Sequence, residues 1–190
     1  LLVANAVAHI AVVLGYHAEQ VRQELLSQPV AQWLASNKAP RVVHALNPHP
    51  EAGTASSLHC GLRALPADLD TWLVVLGDQP LLEASDIHAI LQAWPARQAG
   101  VELVVPQHGE AVGHPVAFGQ TLRDLVLQTP GLGIRQWRHQ HPERLQLLPV
   151  DHPRCTTDVD TPEDIERLRQ NHGVQLELPR AETSLNQPAS

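Results

Sequence analysis

The stretch Trp72 to Leu76, WLVVL, runs through five apolar residues without a polar break and stops at Gly77-Asp78. It is too short for a helix and does not alternate polar with apolar. A run of this kind reads as a strand covered on both faces. The same pattern recurs at His9 to Leu14 before Gly15, at Arg41 to Leu46, at Val101 to Val105 and at Leu145 to Val150, with His114 to Phe118 as a further candidate. Between these runs the apolar residues fall at helical spacing, as at Ala18, Val21, Leu25 and Leu26. Helices are expected at 17–26, at 55–65, from Ser85 as N-cap to Trp94 before Pro95, at 120–128, at 132–139 and from near Thr161. Leu1 to Ala8 reads as the end of a helix, and 28–40 as irregular. Buried strands alternating with helices point to an α/β fold, its sheet mainly parallel and covered by helices on both faces.

Composition narrows the function classes. The chain has 190 residues, 43% hydrophobic and 17% charged, enough for one packed domain and far from global disorder. Its net charge is -7, and only six aromatic residues are present (four Trp, one Tyr, one Phe), so neither a basic footprint nor a base-stacking platform for nucleic acid is indicated. Cys60 and Cys155 stand far apart without CxxC spacing, which argues against a disulfide scaffold and makes a reducing cytoplasm the expected setting. No apolar run is long enough to cross a bilayer, no signal peptide is visible, and no membrane partner is expected. The 12 histidines include no HExxH pair, and His139 and His141 are two apart, which puts them on different sides of a helix. No GxSxG elbow is present. The sequence contains no methionine and opens inside the apolar stretch LLVANAVAHI, so a start upstream of Leu1 is expected.

Four segments carry candidate chemistry. In an open α/β sheet ligands bind beyond the carboxyl ends of the strands, and Asp78 stands at such an end. Gly77 lets the chain turn there and keeps the backbone low, and Pro80 directs the exit. A carboxylate so placed can hold Mg²⁺, with substrate phosphates completing the shell; turn capping explains it equally well. In CTTDVDTPED, Thr161 reads as an N-cap, Pro162 as the first helical residue, and Glu163 and Asp164 as complements to the helix dipole. Asp158 lies outside those needs and is a candidate to share a metal with Asp78. NPHPEAGTASSL joins a strand to a helix. Its Gly53, Ser56 and Ser57 could leave backbone N–H groups and hydroxyls for an anion, while capping by Thr54 or Ser56 is an equal alternative. In GEAVGHPV, Gly109 and Gly113 flank a turn where a ligand could approach the backbone.

The stretches VVLGYHAEQV, NPHPEAGTASSLHCGL, LVVLGDQPLL, GHPVAF and DVDTPEDI, in this order from Val12 to about Leu168, resemble the MobA-like NTP transferase family and within it the molybdenum cofactor cytidylyltransferase branch. The resemblance implies a Rossmann-like nucleotidyltransferase sheet over 1–172, followed by a disordered tail at 173–190. It implies transfer of CMP from CTP to molybdopterin, with Mg²⁺ as cofactor and pyrophosphate as product. By the family pattern Asp78 and Asp158 are the catalytic metal ligands. Gly53, Ser56 and Ser57 belong to the nucleotide side, and Gly113, His114 and Pro115 to the pterin side. A molybdenum hydroxylase is the implied recipient of the product.

The chain departs from the pattern at its start. Family members open with a strand and a loop of the form LAAGxSxRMGxxK, which this sequence lacks; its single lysine, Lys38, lies in the irregular stretch. The first strand of the sheet is therefore expected to be missing, and transferase activity of the chain by itself to be low. Two other functions fit the same residues: a non-catalytic module that binds or delivers the molybdenum cofactor, and a related nucleotidyltransferase using GTP or a sugar phosphate.

Overall fold

The computed structural model describes residues 1, 2, 5, 7–26 and 40–176. Within 1–8 only five residues are described, and nearly all of the irregular stretch, Lys38 and most of the tail lie outside. The chain divides into two compact units, Leu1–Thr157 and Asp158–Ser190.

The first unit carries two sheets. β1 (His9–Leu14) and β2 (Arg41–Leu46) pair in parallel, with His9 opposite Arg41 and Leu14 opposite Leu46. The second sheet is built around β4 (Leu103–His108). β7 (Leu145–Pro149) runs parallel along one side of it. β6 (Val116–Phe118) and the short β5 (Ala111–Val112) pair antiparallel along the other, and β3 (Trp72–Val74) pairs antiparallel with β6. The fold is α/β, as expected, while among the described residues the larger sheet is mixed and the parallel pairings are β1–β2 and β4–β7. The antiparallel strands follow from chain length: β4 and β6 are joined through the tight turn at Gly109 and β5, far too short for a crossover helix.

The helices are α1 (Ala18–Leu25), α2 (Thr54–Ala64), α3 (Ala84–Ala93), α4 (Gln120–Gln128) and α5 (Ile134–Gln140). Helices α2 to α5 pack a core centred on Leu103, Val104 and Val105 of β4, all of β6, Ile90 of α3, Leu122 and Val126 of α4, and Trp137 of α5. β3 is shorter than the apolar run predicts. Its ladder with β6 covers only Trp72 to Val74, and Val75 and Leu76 continue outside it. The N-cap of α3 is Glu83 rather than Ser85: the Glu83 N–H donates to Asp86 Oδ2 at 2.8 Å in a capping box.

In the second unit α6 (Pro162–His172) begins as the sequence predicts. Thr161 is the N-cap, Pro162 the first helical residue, and Asp164 closes a capping box by accepting the Thr161 N–H at 2.8 Å. Gly173 ends the helix in the left-handed region at φ 66°.

Candidate active site

Three sequence motifs meet at one backbone carbonyl in the first unit. β3 delivers the turn containing Asp78, whose residue is exposed, while the next residue, Gln79, is buried. Gln79 Nε2 donates to the Cys155 carbonyl at 3.0 Å, across 76 residues of sequence. The His114 N–H donates to the same oxygen at 2.9 Å. A carbonyl has two lone pairs, and both are engaged. Gly113 lies directly against it: a Cβ on Gly113 would stand 1.8 Å from that oxygen, so only glycine fits. The openness expected at Gly113 is thus taken up by the protein's own backbone. A short 3-10 turn, Pro153–Thr156, presents the carbonyl. The Cys155 thiol is buried, and burial pushes its pKa up, which removes it as a nucleophile.

Behind this junction is a cavity of about 100 Å³ lined by Asp86, Ile90, Pro106, Pro115, Arg154 and Cys155. Arg154 holds Asp86 through two bonds, Nε to Oδ2 at 2.9 Å and Nη2 to Oδ1 at 2.8 Å. Burial alone would raise the Asp86 carboxyl, but the Arg154 guanidinium and the Glu83 N–H outweigh it and hold the carboxyl below its usual range. The bidentate pair fixes the Pro153–Thr156 turn, and through it the carbonyl that Gln79 and His114 share.

A second cluster stands where β2 leads into α2. The Asn47 N–H donates to the Leu14 carbonyl at 2.8 Å, extending the β1–β2 pairing by one step. The Asn47 side chain is buried. Its Oδ1 accepts the His49 N–H at 2.9 Å, and its Nδ2 donates to Ser56 Oγ at 2.8 Å and Ser57 Oγ at 3.0 Å. Gly53 takes φ 87°, a left-handed value that favours glycine, and among the described residues a Cβ there would meet nothing within 4 Å. Gly53, not Thr54 or Ser56, occupies the N-cap of α2, and the Ser56 hydroxyl turns to the His49 and Gly53 carbonyls. The capping alternative for these two residues is thereby corrected.

The predicted site residues of the first unit therefore fall into two groups. Gly113, His114 and Pro115 surround the Cys155 turn next to Asp78; Gly53, Ser56 and Ser57 surround Asn47. Asp158 is the first residue of the second unit and is exposed. Gly77 has no left-handed φ and, among the described residues, no close neighbour, so the turn itself does not require glycine. Sequence reading passed over Asn47 and over Gln79 as a buried donor. The signal for Asn47 was its position, an Asn before Pro48 at a strand end. Among the described residues no group of three or more His, Cys, Asp or Glu side chains is placed to hold a metal ion, and no helix is long and apolar enough to cross a membrane.

Residues 2–146 match the MobA-like NTP transferase domain. The chain belongs to that family. The bifunctional protein GlmU of Kineococcus radiotolerans is 32% identical over 148 residues, covering 77% of the chain and 26% of GlmU. The phosphoenolpyruvate guanylyltransferase of Sphaerobacter thermophilus is 32% identical over 124 residues, covering 63% of the chain and 56% of that protein. The chain thus spans between a quarter and somewhat over half the length of these relatives. Among solved structures, Rv0371c of Mycobacterium tuberculosis superposes with a TM-score of 0.64 at 25% identity, covering 88% of this chain and 80% of that one. The same protein has been solved in complex with manganese, matching with a TM-score of 0.62 at 27% identity and covering 88% and 82%.

Proposed function

We propose that this chain is the transferase domain of a molybdenum cofactor cytidylyltransferase. The reaction joins a terminal phosphate oxygen of molybdopterin to the α-phosphorus of CTP. The bond from that phosphorus to the bridging oxygen breaks, and pyrophosphate leaves. What carries the reading is the junction at Cys155, where the LGDQP and GHP motifs that resemble this branch share one anchored carbonyl beside Asp78.

Asp78 is the residue we assign to the metal. Its exposed carboxylate at the end of β3 is a hard oxygen donor of the kind Mg²⁺ or Mn²⁺ takes, and the manganese complex of Rv0371c supports a divalent ion in this setting. When bound, such an ion neutralises charge on the phosphate oxygens. Gln79 anchors the backbone that carries Asp78. His114 and Pro115 form the acceptor side, and Gly113 serves it by letting the His114 N–H reach Cys155. The Asn47 cluster forms the nucleotide side. Asp158 is a second candidate carboxylate, tested by its own substitution. Charge neutralisation and positioning supply most of the catalysis in this chemistry.

A second reading is a related nucleotidyltransferase using GTP or a sugar phosphate, and the phosphoenolpyruvate guanylyltransferase relative supports its GTP form. Pyrophosphate release separates the two. It is measured with molybdopterin as acceptor and CTP or GTP as donor, on this chain and on the chain extended by any residues its gene encodes before Leu1. Release with CTP and molybdopterin supports the first reading. Release only with GTP or only with a sugar phosphate replaces it by the second. Retention of molybdopterin without turnover in either form points to the delivery module.

A further inference from the structure

His152 stands against both partners of the Asp86–Arg154 pair, and its ring lines the cavity behind the Cys155 junction. Its Nε2 lies 2.8 Å from Arg154 Nη2 and 3.2 Å from Asp86 Oδ1. A guanidinium can only donate, so Nε2 accepts, and the ring is the neutral tautomer with its hydrogen on Nδ1. That Nδ1 is buried and has no hydrogen-bond partner among the described residues. In this state Arg154 Nη2 is shared between Asp86 Oδ1 and the ring.

A second proton on the ring breaks the arrangement. Nε2–H and Nη2–H are then two donors and two positive charges at 2.8 Å, and one must move. Asp86 Oδ1 is already close to Nε2, and Glu83 Oε2, 3.7 Å from Arg154 Nη2, offers the guanidinium another acceptor. Burial would raise the Asp86 carboxyl, but Arg154 and the Glu83 N–H hold it below its usual range, so it is ionised wherever a histidine titrates. The exposed Asp151 carboxylate stands 4.0 Å from Nε2. The Cys155 thiol in the same cavity is kept protonated by burial. From β4, His108 turns its Nδ1 to the Val150 carbonyl at 3.2 Å. Arg154 belongs to the Pro153–Thr156 turn, so when Nη2 leaves Oδ1 that turn is held to Asp86 by one bond instead of two.

We infer that His152 is a proton-sensing positioning residue: on taking a proton at Nε2 it displaces Arg154 Nη2 from Asp86 and loosens the carbonyl that Gln79 and His114 share. Only the placing of that junction on the acceptor side rests on the reading above.

The test is an NMR titration of the folded chain from about pH 8 to about pH 5.5, where histidines change charge, with His152→Gln beside it. Glutamine accepts from Arg154 Nη2 through its side-chain oxygen and takes no proton. The Gln79 side-chain amide and His114 N–H signals of the wild type are expected to move together with the His152 ring signals. That part of the movement is expected to vanish in His152→Gln, which leaves the shifts caused by His108, His114 and the other histidines in place. Exchange of the His114 N–H, corrected for its intrinsic pH dependence, should lose about tenfold of its protection over this range in the wild type, the size of one hydrogen bond, and none in His152→Gln. Junction signals that stay still while the His152 ring titrates overturn the inference. So does a His152 ring that takes no proton in this range, or an equal response in His152→Gln. If His152→Gln does not fold, the joint movement of ring and junction signals in the wild type decides alone. Neither readout involves a nucleotide or molybdopterin, so failure of the transferase reading shows in pyrophosphate release and leaves these results untouched.

Discussion

The two glycine-bearing loops of the first unit look alike in sequence and differ in space. GEAVGHPV and NPHPEAGTASS both place glycine and proline between strand signals. In the first, Gly113 is packed against the Cys155 carbonyl, and two donors converge on that oxygen. In the second, no described atom lies within 4 Å of where a Gly53 Cβ would stand, and the polar atoms of the loop are gathered by one buried asparagine. One loop is closed by the chain itself; the other is held open. Glycine permits either outcome, and what decides is whether another backbone segment arrives. An open loop suits a ligand. A closed loop suits the rigid wall that orients one.

The largest way to break this contrast is Gly113→Ala. A Cβ at 1.8 Å from backbone cannot be absorbed by a side-chain shift, so the Cys155 turn must move. The expected cost is about 3 kcal/mol, read as a lowered denaturation midpoint. An unchanged midpoint would show that the loop is not closed.

Arg154→Ala attacks the same wall from behind. It leaves the Asp86 carboxylate buried with only the Glu83 N–H and His152 nearby, and should cost about 2 kcal/mol at neutral pH. The sign of the pH dependence follows from the depressed Asp86 pKa. The stabilisation is present above the ordinary aspartate value of about 3.9 and is lost as pH falls through the lower folded value. Wild-type stability should therefore drop on acidification below about pH 4, and Arg154→Ala should flatten part of that drop. Parallel profiles for the two proteins would contradict the pairing.

Gly53→Ala is the smallest change. Only the left-handed φ of 87° opposes it, at about 1 kcal/mol, with no steric clash. The difference between the two glycine substitutions is the sharpest form of the comparison. Equal costs would erase it.

The local part of the fold was legible in the sequence. β1, β2 and α4 follow the apolar runs and helical spacing residue for residue, and α6 starts where Thr161-Pro162 says it must. Pairing was less legible. Continuous apolar strands indicated parallel neighbours, yet β6 is fully buried between antiparallel partners, because α3 and α4 cover the mixed sheet as completely as they would a parallel one. The candidate residues of the first unit did gather into two clusters, but what holds them was hidden. The Asp86–Arg154 pair spans 68 residues and the Gln79–Cys155 bond 76. Contacts at such separations leave no periodicity in the chain, and an acceptor that is a backbone carbonyl leaves no side-chain signal at all.

The most direct measurement is calorimetric titration of this chain and of Asp78→Ala with CTP and with GTP in the presence of Mg²⁺. CTP is expected to bind the wild type more tightly than GTP does. Asp78→Ala is expected to abolish the Mg²⁺-dependent part of that binding while the protein keeps a cooperative melting transition. Equal CTP affinity in the two proteins, with and without Mg²⁺, would contradict the assignment of Asp78 as the residue that brings metal and nucleotide together.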